Sequence, residues 1–544
     1  MHPAGSDRKR AQLRQTRLSA GHAVESSLIA LARRGRRRYR FSVPTAHPPA
    51  LLLASLAALA FFPACSSSSS PAAAHDAAVG APDVALTFPD AFRDTGRDAA
   101  RDASRPDTSS DASPDAVLGS VSTTYPAFTP DLPQVVNNGG GVLTSPVIVT
   151  ITWPAADPNV ATWEAMSDAI GGSSYWKATT APYGVGVATG GDANHVHMRQ
   201  SLPSTLSYTD LANYVTAAAA ASAADAGAED AGGLDGGGAD GGANPRWPAP
   251  TLSSGNAQTI YSLFIPASIT VTDPGSGVSF CDEGGLGYHD NVMIGANPVA
   301  YSITLECASQ TLPDLEETVA HELVEAATDP YPSTTTLGYV GFDPDHLSWD
   351  LFTGFAGDEL ADACQSWADS YYQEAAPFPY WVQRSWSNAN ATAGHDPCAP
   401  VPSGPYEGLT LFPSEEVTTT ANLTSLGLSN ETTRAFVAKV GQTVTFHVGF
   451  YSDAKTSGPW TIAYDFPATT ALYDESGNPL GNGAATVSID RTSGVNGEKA
   501  AVSVTPTVAG PLGFQLMAIT WDNPVDAEAA LYAPHYLPIL IVNP

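Results

Sequence analysis

One segment of the sequence predicts a helix and a metal site together: Thr311-Leu-Pro-Asp-Leu-Glu-Glu-Thr-Val-Ala-His321-Glu322-Leu-Val-Glu325-Ala-Ala-Thr-Asp-Pro330. Thr311 suits the N-cap of a helix, and Pro313 suits its first turn. Apolar residues then recur at helical spacing until Pro330 ends the pattern. His321 and Glu325 are four residues apart, so both project from one face. The segment therefore predicts an amphipathic helix that presents a pair of metal ligands.

Glu322 directly follows His321, where the metalloprotease pattern His-Glu-x-x-His has its general base. Glu325 replaces the second His of that pattern and offers zinc an oxygen ligand. Short motifs also arise by chance. The alternative interpretation is an amphipathic helix whose His and Glu side chains face water.

A second segment offers two more carboxylates on one predicted helical face: Gly357-Asp-Glu359-Leu-Ala-Asp362-Ala-Cys364. A catalytic zinc site needs a third protein ligand and a group that orients the ligating His. We expect Glu359 to be the third ligand and Asp362 to orient His321. Asp362 itself and His346 are the alternative third ligands.

Charge is distributed unevenly along the chain. The first 64 residues contain 11 Lys and Arg against 2 Asp and Glu, whereas the remainder contains 13 against 53. A surface this acidic disfavours nucleic acid and anionic membrane surfaces as partners. The length of 544 residues and the hydrophobic content of 43% suit several globular domains.

The N-terminal region predicts an export signal over residues 1–64. The Arg-rich run 33–38 precedes the apolar run 50–62, which is too short for a membrane-spanning helix. The run ends at Phe62-Pro-Ala-Cys65, which resembles a bacterial lipoprotein cleavage site with Cys65 as the lipidated residue. The alternative is an ordinary secretory signal cleaved near Ala64. We expect an exported protein, either secreted or held at the bacterial cell envelope or outer surface by an N-terminal lipid anchor, its only membrane contact.

Two low-complexity runs punctuate the remaining chain. Residues 65–120 are rich in Ala, Asp, Ser and Pro and predict a disordered tether, because they contain too few large apolar residues for a core. Residues 217–244 are rich in Ala, Gly and Asp and predict a disordered surface insertion.

Strand signals surround the predicted metal helix. They cover Pro146–Trp153, Tyr183–Thr189, Gln258–Ile265 and Asn291–Gly295, with a helix predicted at Thr162–Ile170. Strands followed by a metal helix, and then by a second helix carrying Glu359, predict an α+β zincin-like domain over residues 121–400.

A His-x-His pair, His195 and His197, lies on one face of a further predicted strand. This spacing can bind metal, although an exposed pair or one satisfied within the core is the favoured interpretation.

Residues 401–544 alternate at a period of two residues between Gly, Pro, Asn and Asp turns. The strand signals are Thr443–Phe450, Trp460–Tyr464, Ala484–Ile489, Lys499–Val504 and Leu512–Ile519. This pattern predicts an all-β sandwich of Ig-like or fibronectin-like type. We expect it to be an accessory binding or spacer domain, because it contains no cysteine and no cluster of catalytic residue types.

Four cysteines follow Cys65, namely Cys281, Cys307, Cys364 and Cys398. They form no Cys-x-x-Cys pair, so two disulfides are favoured over a cysteine zinc site. Three pairings are compatible with four cysteines. Proximity in the sequence favours Cys281–Cys307 and Cys364–Cys398.

Several motifs together resemble the phosphate-induced/Exordium family, and its bacterial branch more closely. They are Cys281-Asp-Glu-Gly-Gly-Leu-Gly-Tyr-His289-Asp290, Cys307, Thr-Asp-Pro330, Glu359-Leu-Ala-Asp-Ala-Cys364, Trp386-Ser-Asn388 and Cys398. The resemblance covers roughly residues 142–398. It implies an exported protein, and metallopeptidase activity is suspected in the bacterial branch, which keeps the His-Glu pair.

The sequence thus predicts an exported, surface-anchored Zn²⁺-dependent peptidase. His321, Glu325 and Glu359 would hold the metal and leave one position for water, and Glu322 would act as general base on a peptide or protein substrate. The alternative is a non-catalytic protein that binds a cell-surface or wall polymer and retains the fold or a structural metal site.

Overall fold

The computed structural model describes residues 119–226, 244–273, 277–283, 285–334, 336–352, 359–365, 367, 369–423, 430–465, 485–509, 511–519 and 535–542. The predicted signal peptide, Cys65 and the predicted tether as far as residue 118 lie outside these residues. Gly119 forms a β-bridge with Glu498, so the last residues of the predicted tether belong to the folded part.

The described helices alternate with strands in the first half of the chain, and strands dominate the second half. The helices are α1 (Val160–Ile170), α2 (Ser174–Thr180), α3 (Tyr208–Ala226), α4 (Phe280–Glu283), α5 (Leu312–Thr328), α6 (Leu347–Phe352), α7 (Asp362–Gln365) and α8 (Asn388–Ala393). The strands before residue 400 are β1 (Val135–Asn137), β2 (Val147–Thr152), β3 (His195–His197), β4 (Thr205–Ser207), β5 (Leu252–Ser253), β6 (Asn256–Ala257), β7 (Thr259–Ile265), β8 (Thr270–Thr272), β9 (Gly287–Ile294), β10 (Asn297–Leu305), β11 (Tyr339–Phe342), β12 (Tyr371–Gln373), β13 (Trp381–Gln383), β14 (Ser385–Trp386) and β15 (Cys398–Ala399). The strands after residue 400 are β16 (Glu407–Thr410), β17 (Val417–Ala421), β18 (Glu431–Val437), β19 (Val444–Ser452), β20 (Trp460–Asp465), β21 (Ala485–Ile489), β22 (Ser493–Gly494), β23 (Lys499–Pro506), β24 (Leu512–Ile519) and β25 (His535–Val542).

A five-stranded mixed sheet with the order β3-β2-β7-β10-β9 organises the first half of the chain. The first four strands are parallel, and β9 pairs antiparallel with β10 at one end of the sheet. Strand β7 is buried at every residue because helices cover both faces of the sheet.

The two faces of this sheet have separate cores. On one face, Ile260 and Phe264 pack with Trp163 of α1 and with Val319 and Leu323 of α5. On the other face, side chains of the same strands pack with α3. Helix α5 is thereby fixed against β9, β10 and β13, which are its main contacts.

Two further sheets form the predicted β-sandwich. One contains four strands in the order β16-β19-β23-β21, and the other contains six in the order β17-β18-β25-β24-β20-β22. The five strand signals identified after residue 400 correspond to β19, β20, β21, β23 and β24, so the all-β prediction is confirmed.

The sandwich shares a hydrophobic core with the first half of the chain. Trp349, Trp367 and Trp386 pack against one another, and Trp367 also packs on His535 and Tyr536 of β25. The boundary near residue 400 is therefore a packed interface.

Two predicted elements differ in the structure. The Tyr183–Thr189 segment was predicted as a strand, but it forms only an isolated bridge between Thr189 and Val147. A Cβ at Gly186 would lie 2.0 Å from the Thr144 carbonyl oxygen, which shows how closely this segment is pressed against its neighbour.

The predicted insertion at 217–244 is wrong for its first part, since α3 continues as helix to Ala226. Its Ala-rich composition has high helix propensity, and Leu211, Val215 and Ala219 anchor the helix in the core. The rest of that run, to residue 243, lies outside the described residues.

Both favoured cysteine pairings are present, Cys281–Cys307 and Cys364–Cys398. Two disulfides indicate folding in an oxidising compartment. None of the described helices is both long and apolar enough to cross a membrane.

The disulfides lead to a direct prediction. Native protein from an oxidising compartment should show no reactive thiol among these four cysteines. The paired change Cys364→Ser and Cys398→Ser should lower the free energy of unfolding by about 4 kcal/mol, the loop-entropy estimate for a bridge spanning 34 residues. Thiol labelling with and without reductant, followed by urea unfolding, measures both. Two or more free thiols before reduction would contradict the pairing.

Candidate functional site

Helix α5 begins as the sequence predicts. The Thr311 side chain accepts a hydrogen bond from the Asp314 backbone N–H, and the Asp314 carboxylate accepts one from the Thr311 N–H. This reciprocal cap fixes the start of the helix. The helix is buried on nearly all sides, and its buried residues include Glu322 and Glu325 as well as Val319 and Leu323. Two carboxylates thus lie in the same layer as the hydrophobic core.

The first group of candidate ligands comprises His321, Glu325 and Asp362. His321 Nε2 lies 3.0 Å from Glu325 Oε2 and 3.5 Å from Asp362 Oδ1. When each ligand atom lies about 2.1 Å from a metal, neighbouring ligand atoms are about 3.0 Å apart in octahedral geometry and about 3.5 Å apart in tetrahedral geometry. These three atoms are therefore spaced as a metal would require. We call this set the outer group.

Gln383 of β13 determines the orientation of the His321 ring. The Gln383 Nε2 group donates to the Ala361 carbonyl at 2.6 Å, which turns its Oε1 toward His321. His321 Nδ1 lies 3.0 Å from that Oε1, and because Oε1 can only accept, Nδ1 must carry the proton. A neutral His321 then directs the Nε2 lone pair at two carboxylate oxygens. Only a proton or a cation makes that contact favourable.

Glu325 is also held on its other oxygen. The backbone N–H of Asp362, at the start of α7, donates to Glu325 Oε1 at 3.2 Å. This bond leaves Oε2 directed toward His321. The short segment after residue 358 therefore supplies both a candidate ligand and the group that orients Glu325.

His289 of β9 is a site residue that the motif analysis did not identify. Its Nδ1 lies 3.7 Å from Glu322 Oε2 and 3.7 Å from Glu325 Oε2. Its Nε2 lies 3.6 Å from Glu359 Oε1 and 3.1 Å from the Asp329 carbonyl oxygen. Side chains alternate between the two faces of a strand, so Gly287, His289 and Asn291 of β9 share one face. This alternation is the sequence pattern that could have identified His289.

Glu359, the predicted third ligand, meets His289 rather than His321. It groups with His289 and Asp329 as potential ligands, and we call this set the inner group. Glu359 precedes α7, which begins at Asp362, so the two carboxylates do not both belong to a described helix as predicted. Asp362, predicted to orient His321, instead offers its own oxygen to the outer group.

Glu322, the predicted general base, is buried beside His289 and Glu325. Its Oε1 lies only 2.8 Å from the position that a Cβ on residue 287 would take, which is too close for a side chain there. Glycine at residue 287 therefore allows β9 to approach α5 closely enough to enclose Glu322.

The other predicted candidates lie elsewhere. His346 contacts Asp343 and Asp131, the latter paired with Arg434 of the sandwich, so it is not a ligand of either group. His195 pairs with Asp168 at 3.0 Å and His197 contacts Glu164, both on α1. Asp168, Asp192 and His195 form a further group of potential ligands at the surface.

The electrostatics of the site reflect its excess of carboxylates. Burial lowers the pKa of His321, but Glu325, Glu322 and Asp362 raise it well above 6.5 overall. Burial likewise opposes protonation of His289, yet Glu359, Glu322 and Glu325 raise its pKa well above 6.5.

The pKa values of two buried carboxyl groups, Glu359 and Glu325, shift in opposite directions. Burial, reinforced by Glu325, Asp329 and Asp362, raises the pKa of Glu359 well above 4.5. Burial also raises the pKa of Glu325, but the two imidazoles outweigh it and lower that pKa overall. Protons and divalent cations are therefore alternative ways to neutralise this site.

Comparison with known proteins does not assign a family. No family profile and no curated protein matches the chain. Matching solved structures include a conjugative transposon lipoprotein from Bacteroides eggerthii, with 14% identity, covering 25% of this chain and 95% of that chain at a TM-score of 0.14. Domains 4 and 5 of the S-layer protein SbsC match with 12% identity, covering 34% and 76% at a TM-score of 0.14. Scores this low support no argument about this chain.

Gly287 provides a test of the packing around Glu322. Gly287→Ala adds a Cβ that meets Thr318 Cγ2 at 2.6 Å and the Ile303 carbonyl at 2.8 Å. We expect the free energy of unfolding to fall by about 1–3 kcal/mol, as for other overpacked interiors. Urea unfolding measures the change. Gly458→Ala, which meets nothing within 4 Å, is the matched control and should stay within about 0.5 kcal/mol. Equal stability of both variants would contradict the close approach.

Gln383 provides a test of His321 orientation. Gln383→Leu keeps the approximate shape and removes the acceptor for His321 Nδ1–H, so zinc affinity should fall about 10- to 100-fold. Competition with a chromophoric chelator measures it. Gln258→Leu is the control, because Gln258 is also buried but bonds to Ser145 and to no residue of the site. An unchanged zinc affinity in Gln383→Leu would refute this role.

Proposed function

We propose that the protein is an exported, zinc-dependent peptidase-like hydrolase. The observation that supports this most strongly is the position of His321 Nε2, which faces Glu325 and Asp362 oxygens at 3.0 and 3.5 Å. Gln383 keeps Nδ1 protonated, so Nε2 is the nitrogen that a metal would bind in place of a proton.

The donor set fits zinc. One imidazole and two carboxylates are ligand types that zinc accepts, and three protein ligands leave a position open, as catalytic zinc sites do. We assign His321, Glu325 and Asp362 as these ligands. Glu359, the third ligand expected from the sequence, is replaced by Asp362 because Glu359 is directed to His289.

Zinc would supply Lewis acidity, which makes water a stronger acid and polarises a substrate carbonyl. The protein supplies the acid–base group. Glu322 follows His321 on α5, and its buried carboxyl has a raised pKa, chiefly because burial disfavours its charge. A carboxylate of raised pKa is a better proton acceptor near neutral pH. We assign Glu322 the role of accepting a proton from the attacking water and passing it to the leaving amine.

The exposure of the side chains indicates how a substrate would approach. Asp362 is 22% exposed and His321 12%, whereas Glu325 is 3% exposed. The outer group is thus open on the side of α7, and Glu322 lies beneath it. A peptide carbonyl would enter from that side.

Several wider expectations form part of the proposal. The helix that carries the motif lies on a mixed sheet with helices on both faces, which supports a zincin-like classification of residues 121–400. The resemblance to the bacterial branch of the phosphate-induced/Exordium family stays a prediction. So does attachment to the cell envelope through Cys65.

A second candidate function has its own supporting observation. His289 and Glu325 are 4% and 3% exposed, so a cation bound near them would be enclosed, as structural metals are. On this alternative the protein binds a cell-surface polymer and the metal only stabilises the fold. Glu322 distinguishes the two, because a structural site needs no proton acceptor.

The decisive variant is Glu322→Gln. It should keep zinc and the fold, since Gln is nearly isosteric, and should reduce peptide hydrolysis about 10²-fold or more. The assay uses the full chain loaded with zinc, a broad peptide library and casein.

Glu317→Gln is the matched control, because Glu317 lies on the same helix but interacts with Asp314 and Glu316 rather than with the site. It should retain full activity. Equal hydrolysis by the parent and Glu322→Gln would remove Glu322 from the mechanism. A zinc-loaded parent inactive on every substrate would favour the binding function.

A further inference from the structure

The inner group resembles the outer group in composition. Each contains one imidazole and two carboxylates, His289 with Asp329 and Glu359 in the inner group and His321 with Glu325 and Asp362 in the outer. The inner ligand atoms all lie within 4.8 Å of one another, and His289 Nε2 is 3.6 Å from Glu359 Oε1. The backbone carbonyl oxygen of Asp329 also lies 3.1 Å from His289 Nε2. Separations of this size suit ligands around a single cation.

Asp329 supplies an independent observation. It is 1% exposed, and its Oδ1 accepts a hydrogen bond from the Gly338 N–H at 2.7 Å. Its Oδ2 is buried and has no hydrogen-bond donor among the described residues. An unpaired buried carboxylate oxygen is costly unless a proton or a cation compensates it.

The excess of negative charge in the whole site also favours compensation by a cation. Five carboxyl groups meet two imidazoles, and within the described ranges no Lys or Arg forms an ion pair with Glu322, Glu325, Asp329 or Glu359. One divalent cation at the outer group would leave most of this negative charge buried and uncompensated. A second divalent cation would neutralise nearly all of it.

The other nitrogen of His289 is consistent with a ligating ring. Nδ1 faces Glu322 and Glu325 oxygens at 3.7 Å. Metal-bound His commonly directs its second N–H at a carboxylate, which fixes the ring and increases its basicity. Glu325 therefore lies between the two positions, with its Oε2 directed at His321 and near His289.

We propose that His289, Asp329 and Glu359 hold a second divalent cation, so that the site has two metal positions separated by Glu325. This inference rests on the proposed function, because the outer position is assumed in it. The inner cation would be enclosed on the side of His289 and Asp329, which are 4% and 1% exposed, and would fix β9 to the end of α5. It also accounts for Glu359, the carboxylate that the outer group does not use.

One competing explanation is a shared proton. A protonated Glu359 could donate to Asp329 or Glu325 and satisfy the carboxyl pair without a metal. The two explanations differ in what neutral substitutions do. Asp329→Asn keeps an acceptor for the Gly338 N–H and removes one charge, which weakens cation binding but leaves a neutral hydrogen-bonded pair intact.

Metal stoichiometry is the primary test. The full chain is stripped with chelator, reloaded with zinc, freed of excess by gel filtration and analysed by plasma mass spectrometry. We expect two zinc ions in the parent, and one each in Asp329→Asn, Glu359→Gln and His321→Gln. The double change His195→Gln and His197→Gln controls for the surface group and should retain two.

Thermal unfolding is the second measurement, and circular dichroism shows that each variant is folded. Zinc should raise the Tm of the parent more than that of Asp329→Asn, because each ligand bound only to the native state adds stability. Equal zinc-induced shifts would favour the shared proton and overturn the inner position.

The outcomes separate this inference from the proposed function. A parent with a single zinc, lost in His321→Gln and kept in Asp329→Asn, refutes the inner position and leaves the proposed function standing. A parent with two zinc ions that Asp329→Asn and Glu359→Gln both retain also refutes the inner position. A parent that holds no zinc refutes both.

Discussion

The burial of carboxylates on one face of α5 is the constraint on which the rest of the site depends. Glu322 and Glu325 are buried on the same helix as Val319 and Leu323, and α5 is covered on nearly all sides, so it cannot pack without enclosing them. Enclosed carboxylates destabilise a fold unless they are bonded or neutralised. Three neighbouring elements, α7, β9 and β13, and α5 itself supply the partners. The Asp362 N–H bonds Glu325, His321 and His289 approach it, and Gln383 fixes His321.

The elements that supply these partners are held by means other than the site itself. Helix α7 has only four residues and could not keep Asp362 in place alone. The Cys364–Cys398 bridge joins it to β15, and Leu360 and Cys364 are fully buried. Strand β13, which carries Gln383, is one of the main contacts of α5. The disulfide and the hydrophobic core therefore hold the site residues in place before anything binds. The polar groups do not themselves have to order the chain.

The sequence predicts those features of the site that depend on local spacing. The cap at Thr311, the helix and the shared face of His321 and Glu325 all follow from three- and four-residue periods, and the structure contains them. Features that depend on pairing distant segments were not predictable in the same way. His289 reaches the site because β9 pairs with β10 and turns its alternate residues toward α5. Glu359 lies near His289 and Asp362 near His321, because α7 starts at Asp362, and a sequence pattern locates such a boundary only to within a few residues.

The exposure of the side chains differs across the site, and this difference determines what each group can bind. Exposure falls from 22% at Asp362 to 3% at Glu325, across a distance spanned by a few side chains. Groups at the open end can meet a substrate, whereas groups at the closed end can only bind a cation or a proton. An enclosed cation would position Glu325 and strengthen the local field, because charges interact more strongly away from water. A cation at the closed end would then position the ligand that the open end shares, which would explain why His289 and Asp329 are buried beside His321 and Asp362.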